Sequence, residues 1–295
     1  MGWHNHVPGH CLRQLSRLAP GFKPAEQKDM KRLIINADDF GLTDGINRAI
    51  IECHQRGVLT SATLMVGGRA AAGAAALAAH HQELGVGLHV NLTWGKPILP
   101  AERLPSLVGP DGELPGKTKM LLRLTAGLAR TSELQAEIAA QIEKCRELGV
   151  EPTHVDSHHH LHAHPRLRAI LTWVCRRNGI KKARGYRMAA RSPKAAFVKL
   201  AAMVPVGGEP LITPGRFSGI EVMGSKNMAA ALREELAGTS GDLEFMCHPG
   251  YADEELFQTS TYNQLRQVEL EALTSAEFLA AVRESGAELI SFRDL

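Results

Sequence analysis

Leu33-Ile-Ile-Asn-Ala-Asp-Asp39 decides how this chain is read. An apolar run of this length, closed by polar residues, has the form of a strand buried on both faces. Gly41 follows as a turn, and Asp44 is placed to cap a helix that continues to Gly57. This is one β-α unit, and the pattern recurs. Ser61 to Val66 and Gly85 to Leu92 read as further strands, with an alanine-rich helix from Ala70 to His81 between them. The Gly67-Gly68 pair matches no phosphate-cradling motif and reads as a tight turn. Residues 94–118, rich in Pro and Gly, read as a long loop of the kind that covers active sites.

Leu121 to Leu148 has helical periodicity with a break near Thr131-Ser132, where Ser132 is placed to cap the second helix. Thr153 to Ser157 is the next strand, followed by a helix from Pro165 to Asn178 that Gly179 stops. Residues 183–225 are irregular apart from a helical stretch near Lys194 to Met203. Glu244 to Gly250 reads as a strand and turn, Ser275 to Ser285 as a helix, and Ala287 to Phe292 as a last strand. Repeated β-α units with apolar strands predict an α/β fold, a parallel sheet covered by helices. At 295 residues the domain from 30 to 295 is expected to be single, with loop insertions. Residues 1–29 are expected to form a disordered or weakly amphipathic extension.

The composition narrows the function. Hydrophobic residues make up 44% and charged residues 22%, with a net charge of +3. No basic stripe is interleaved with aromatics, so nucleic acid is not expected as a partner and a small molecule is. No apolar run is long enough for an integral membrane segment. Residues 1–29 lack the apolar region of a signal peptide. Five scattered cysteines without a C-x-x-C pair fit a reducing, cytoplasmic setting.

Polar residues gather where the strands end. In a β/α barrel those C-terminal ends open onto one face, which hosts the active site. Asp38 and Asp39 close the first strand, and His89 and Asn91 close the third. Thr153 to His164 places six of the fourteen histidines within twelve residues, and His248 follows a late strand. If extended, this histidine segment puts His154, Asp156, His158, His160 and His162 on one face. If helical, it stacks His154 on His158 and His158 on His162. Either way imidazoles converge, and imidazole is the commonest protein ligand for a borderline metal. Capping accounts for one buried aspartate but not for both, because ionised carboxylates are costly to bury unless paired or metal-bound. An Asp with two imidazoles, leaving positions open for water and substrate, is a catalytic donor set for one divalent metal, magnesium or zinc.

Asn36-Ala-Asp-Asp-Phe-Gly41, Gly87-Leu-His-Val-Asn-Leu-Thr93, Pro152 to His162 and Cys247-His-Pro-Gly250 resemble, in order, the motifs of the YdjC/ChbG-like carbohydrate deacetylases. Tyr262-Asn, Arg266, Glu269 to Ser275 and Ile290-Ser-Phe292 are similar to that family as well. The resemblance implies a distorted TIM-like (β/α) barrel, a divalent metal, and hydrolysis of an N-acetylated carbohydrate, chitooligosaccharide-type or glycolipid-linked, releasing acetate. By motif, Asp39, His89 and His158 would hold the metal, Asp38 would be the general base and His248 the general acid. Asn91, His154, Asp156, His160 and His162 would support ligands or touch substrate, and His162 is the rival ligand to His158 or His89. Arg184, Arg187 and Arg191 would meet a polar substrate or form a solvated basic face.

The rival readings are a metal-dependent phosphoesterase, which needs two metals, and a non-catalytic barrel that binds sugar or metal. A homodimer is left open.

Overall fold

The computed structural model describes residues 30–56 and 58–295, so the expected extension at 1–29 lies outside the described residues. Seven strands form its sheet: β1 (Lys31–Phe40), β2 (Ser61–Leu64), β3 (Gly85–Val90), β4 (Val155–Ser157), β5 (Arg216–Ser218), β6 (Gly241–Cys247) and β7 (Glu288–Leu289). They run parallel in the order β4-β3-β2-β1-β6-β5, and β7 pairs with the start of β1. The sheet then curls round. Val155 N donates to Lys182 O (3.0 Å), Ala183 N to Ile212 O (2.9 Å), and Phe217 N to Arg187 O (2.9 Å). These bonds carry β4 towards β5 through residues 182–187, giving the distorted β/α barrel that was expected. The distortion is concentrated there because the segment has only isolated bridges in place of a ladder.

Alternation along β1 separates two environments. Leu33, Ile35 and Ala37 join the main hydrophobic cluster beneath the helices, each side chain the size of leucine contributing about 1.5–3 kcal/mol by burial. Ile34, Asn36 and Asp38 turn inward, where Ile34 packs on Ile290 and Phe292. The interior above that plug is polar, which an apolar strand reading does not foretell.

The helices are α1 (Asp44–Gln55), α2 (Ala71–His80), α3 (Lys117–Thr125), α4 (Thr131–Glu147), α5 (Pro165–Arg177), α6 (Pro193–Met203), α7 (Met228–Ala237), α8 (Glu254–Thr259), α9 (Gln264–Leu273) and α10 (Ala276–Glu284). Two expected caps are corrected. Thr43, not Asp44, caps α1, its hydroxyl accepting from Ile46 N at 3.2 Å. Ser132 lies inside α4, and Arg130 holds the cap position with its N–H donated to Ser106 Oγ. Three helices, α7, α8 and α9, went unassigned in the sequence: α8 is only six residues long, and Glu235, Arg266 and Glu269 sit on the buried faces of α7 and α9 and interrupt the apolar stripe. The Gly67-Gly68 turn is as expected, and a Cβ on Gly68 would fall 2.2 Å from Gly41 O.

Candidate metal centre and active site

Adjacent strand residues normally face opposite sides of a sheet. Asp38 and Asp39 escape that rule because β1 shifts register between Ala37 and Phe40, and Asp39 adopts a left-handed backbone with φ of 67°. Aspartate tolerates this conformation better than most residues. The bulge brings both carboxylates to the barrel mouth.

Asp39 Oδ1 lies 2.9 Å from His158 Nδ1 and 3.2 Å from His89 Nε2. The two ring nitrogens are 3.3 Å apart. Asp39 Oδ1 is nevertheless buried without a hydrogen bond of acceptable geometry. Three donor atoms converging within 3.3 Å of one another fit a shared cation, and this donor set suits a divalent metal.

The tautomer of His89 is arranged for the same task. Its Nδ1 sits 2.7 Å from Asp156 Oδ1 and 3.1 Å from Thr63 Oγ1, so Nδ1–H donates to Asp156 and leaves the Nε2 lone pair facing Asp39. Without a cation, burial opposes charge on His89 but Asp156 and Asp39 prevail and its pKa rises to about 10, so a metal taking the Nε2 lone pair would displace a proton. Burial likewise opposes charge on Asp39, yet Arg266 and His158 hold its carboxyl well below the usual range. Arg266 Nη2 reaches Asp39 Oδ2 at 2.5 Å from α9.

Beneath this group lies Arg184, fully buried. Its Nη2 and Nη1 contact Asp38 Oδ1 and Oδ2 at 2.6 and 2.8 Å, its Nη1 also meets Asp156 Oδ2 at 2.8 Å, and its Nε donates to Glu244 Oε1 at 2.8 Å. Burial would raise the Asp38 pKa, but Arg184 overrides it and the carboxyl stays well below its ordinary value. Glu244 goes the other way, pushed up to about 8 by burial. One guanidinium thus engages three buried carboxylates at once. Arg184 is therefore neither a solvated surface residue nor a free contact for substrate, whereas Arg191 lies outside and pairs with Glu234.

The remaining candidates divide. His248 Nε2 is 3.7 Å from Asp38 Oδ2, its ring Nδ1 has no hydrogen bond, and its backbone N–H donates to Glu269 Oε2 at 2.6 Å. Burial lowers its pKa. His154 is at the floor, stacked on Phe292 with ring centroids 3.7 Å apart, and touches Asp38 only through Asn36. His160 and His162 gather around the Tyr186 hydroxyl, each with Nδ1 at 3.3 Å, and His162 stands outside the convergent group. Asn91 is not in the centre, since its Oδ1 accepts from Thr93 N and Trp94 N and shapes a turn.

The histidine run takes neither of its two expected geometries. The strand ends at Ser157, and His158–Ala163 forms a 3-10 turn in which His159 and His160 have left-handed φ of 58° and 56°. This break lets His158 point at Asp39 while His162 turns back to Ser157 Oγ, 2.7 Å away. Arg184 was expected only as a substrate contact or a solvated residue, and Arg266, Glu244 and Glu269 were given no role in the expected site. The signal for a buried cation was Glu244, a carboxylate between the apolar residues Leu243 and Phe245 of a buried strand.

Fold and centre together define a β/α-barrel protein with a candidate divalent-metal site at the C-terminal ends of its strands. The chain belongs to the YdjC-like protein family, whose model matches residues 32–284. It is 37% identical to a carbohydrate deacetylase of Geobacillus stearothermophilus, over 88% of this chain and 96% of that one. It is also 37% identical to a chitooligosaccharide deacetylase of Serratia marcescens, over 90% and 99% of the two chains. A solved structure from Enterococcus faecalis V583, described in terms of cellobiose-phosphate cleavage, matches with a TM-score of 0.76 at 30% identity, covering 90% of this chain and 98% of that one.

Proposed function

We propose that this protein is a metal-dependent carbohydrate N-deacetylase, hydrolysing the acetamide of an N-acetylated sugar to acetate and a free amine. The observation that carries the reading is the convergence of Asp39, His89 and His158 beside a second, separately held carboxylate, Asp38. The names of the related carbohydrate deacetylases support the substrate class. Chitooligosaccharides and glycolipid-linked N-acetylglucosamine are the two substrates in view.

Asp39, His89 and His158 would hold one divalent cation, magnesium or zinc, which when bound polarises a carbonyl oxygen and makes water more acidic. Asp38 is ionised at neutral pH and fixed by Arg184, so it meets the attacking water in one orientation. A carboxylate held so far below neutrality keeps a proton only briefly. His248 Nε2, 3.7 Å from Asp38 Oδ2, is placed to take that proton and pass it to the departing amine nitrogen. The imidazole begins neutral because burial depresses its pKa, so it serves as a carrier refilled in each cycle. As the C–N bond breaks, the amine leaves protonated and Asp38 and His248 return to their starting states.

One metal fits better than two. The other carboxylate-rich group, Asp38, His89 and Asp156, already encloses the Arg184 guanidinium. Among the described residues, the two-metal phosphoesterase reading therefore has no favoured second position.

The test is acetate release from N,N′-diacetylchitobiose and from lipid-linked N-acetylglucosamine by metal-loaded protein, beside an Asp38→Asn variant. Release from either substrate that the variant loses while keeping one metal per chain is the expected result. Two metals per chain with phosphate-ester hydrolysis would move the assignment to a phosphoesterase. Metal binding without turnover of any substrate would leave a binding barrel.

A further inference from the structure

Two helices flank the 3-10 turn that carries His158, and both present apolar side chains to solvent. α3 and α6 each pack against His158–Ala163. Leu122 and Leu128 stand 64% and 65% exposed at α3 and just beyond it. Phe197, Leu200 and Met203 are 58%, 69% and 67% exposed on α6, and Val204 follows at its end. Large aliphatic groups left in water on one side of a site mark an interaction surface.

The same two stretches hold the chain's positive charge. Residues 114–130 and 187–208 contain eight Lys and Arg and no Asp or Glu, against +3 for the whole protein. Arg191 is paired with Glu234, Arg130 with Glu133, and Arg123 donates to the carbonyls of Ser106 and Val108, so these three are already engaged. Lys117, Lys119 and Lys194 are exposed.

The surface is held firmly. Arg166 Nη2 donates to Ala129 O at 2.7 Å and ties the end of α3 to α5, while Arg168 Nη1 donates to Ala163 O at 2.9 Å and Arg168 Nη2 reaches Val204 O beyond α6. The first turn of α5 thus braces both flanks of the mouth.

We propose that α3 and α6 form a peripheral docking surface for an anionic lipid bilayer, turning the barrel mouth towards the membrane. Aliphatic side chains standing out from two separate helices enter acyl chains without a shaped partner, and the lysines meet headgroup phosphates at the same depth. An acidic protein would need a complementary apolar cavity for each projection. The inference goes beyond the deacetylase reading and does not depend on it.

The experiment is co-sedimentation of the full chain with vesicles of equal parts phosphatidylglycerol and phosphatidylcholine, and with pure phosphatidylcholine. Binding to the anionic vesicles is expected, weakened by added salt, and at least about tenfold weaker in a Phe197→Ser/Leu200→Ser variant. A Phe257→Ser/Leu265→Ser variant, altered at exposed residues elsewhere, should bind as the parent does. The proposal is overturned if the Phe197/Leu200 variant binds undiminished, if neutral vesicles bind equally well, or if nothing sediments. It is also overturned if those substitutions instead abolish a concentration-dependent dimer, which would make a second copy the occupant.

Discussion

Arg184 and Asp38 form a two-point ion pair at 2.6 and 2.8 Å in which neither side chain meets solvent. The arginine comes from the irregular stretch that carries β4 towards β5, and the aspartate from β1. The pair therefore joins the barrel's least regular wall to its central strand.

Removing the guanidinium leaves the Asp38 carboxylate buried without its counter-ion and takes a partner from Asp156. Arg184→Ala should cost about 3–5 kcal/mol, as breaking one side of a buried ion pair does. Urea unfolding monitored by circular dichroism measures it; a loss below about 1 kcal/mol would contradict the sealed network.

Asp156 orients His89 without belonging to the Asp39, His89 and His158 group. Asp156→Asn is expected to weaken metal binding about 10–100-fold, by loosening the His89 tautomer. Competition against a fluorescent chelator reads the affinity. An unchanged value would show that His89 needs no second carboxylate.

Burial is the leading cause that depresses His154, His159, His160 and His162, with His159 and His162 brought down to about 3. Each is neutral when folded and takes a proton near pH 6.5 when unfolded, so the unfolded state binds more protons below that pH. Stability should therefore fall as pH drops from about 6.5 to 4.5, by up to about 1.4 kcal/mol per pH unit for each histidine. Chelator-treated protein isolates the effect from metal release. His154→Gln should reduce the slope by one histidine's share, and a flat stability profile would refute the neutral cluster.

A Cβ at Gly87 would lie 2.5 Å from two atoms of the His154 ring and 2.7 Å from its backbone oxygen. Neither the stacked ring nor the strand can retreat, so Gly87→Ala should destabilise by about 1–3 kcal/mol. A thermal melt tests this, and an unchanged midpoint would mean that β3 and β4 can separate at little cost.

What the chain discloses follows the range of the forces involved. The strand ends marked a wide set of polar residues locally, and it was the motif resemblance that singled out Asp39, His89 and His158 among them. The bulge at Asp39 and the left-handed His159 and His160 were not, since nothing in the local pattern requires them. Arg184 was hidden for a different reason. It sits in a stretch without periodicity, 146 residues from Asp38 and 60 from Glu244, so only the closed barrel reveals its partners. Arg266 appeared within a motif, yet its contact with Asp39 spans 227 residues. His154 misled, because a histidine in a metal-rich run is also a flat ring able to stack on Phe292.

The placement of β1 also governs how the protein is made. Its partners β6 and β7 are translated some two hundred residues after it, so for most of synthesis this apolar strand has β2 alone beside it. Its other backbone edge remains open on the ribosome until Gly241–Cys247 emerges. The nascent chain is thus exposed to mispairing for longer than a fold built from sequential neighbours. Yield in cells will depend on how translation speed and chaperone supply cover that interval as well as on the strength of the finished barrel.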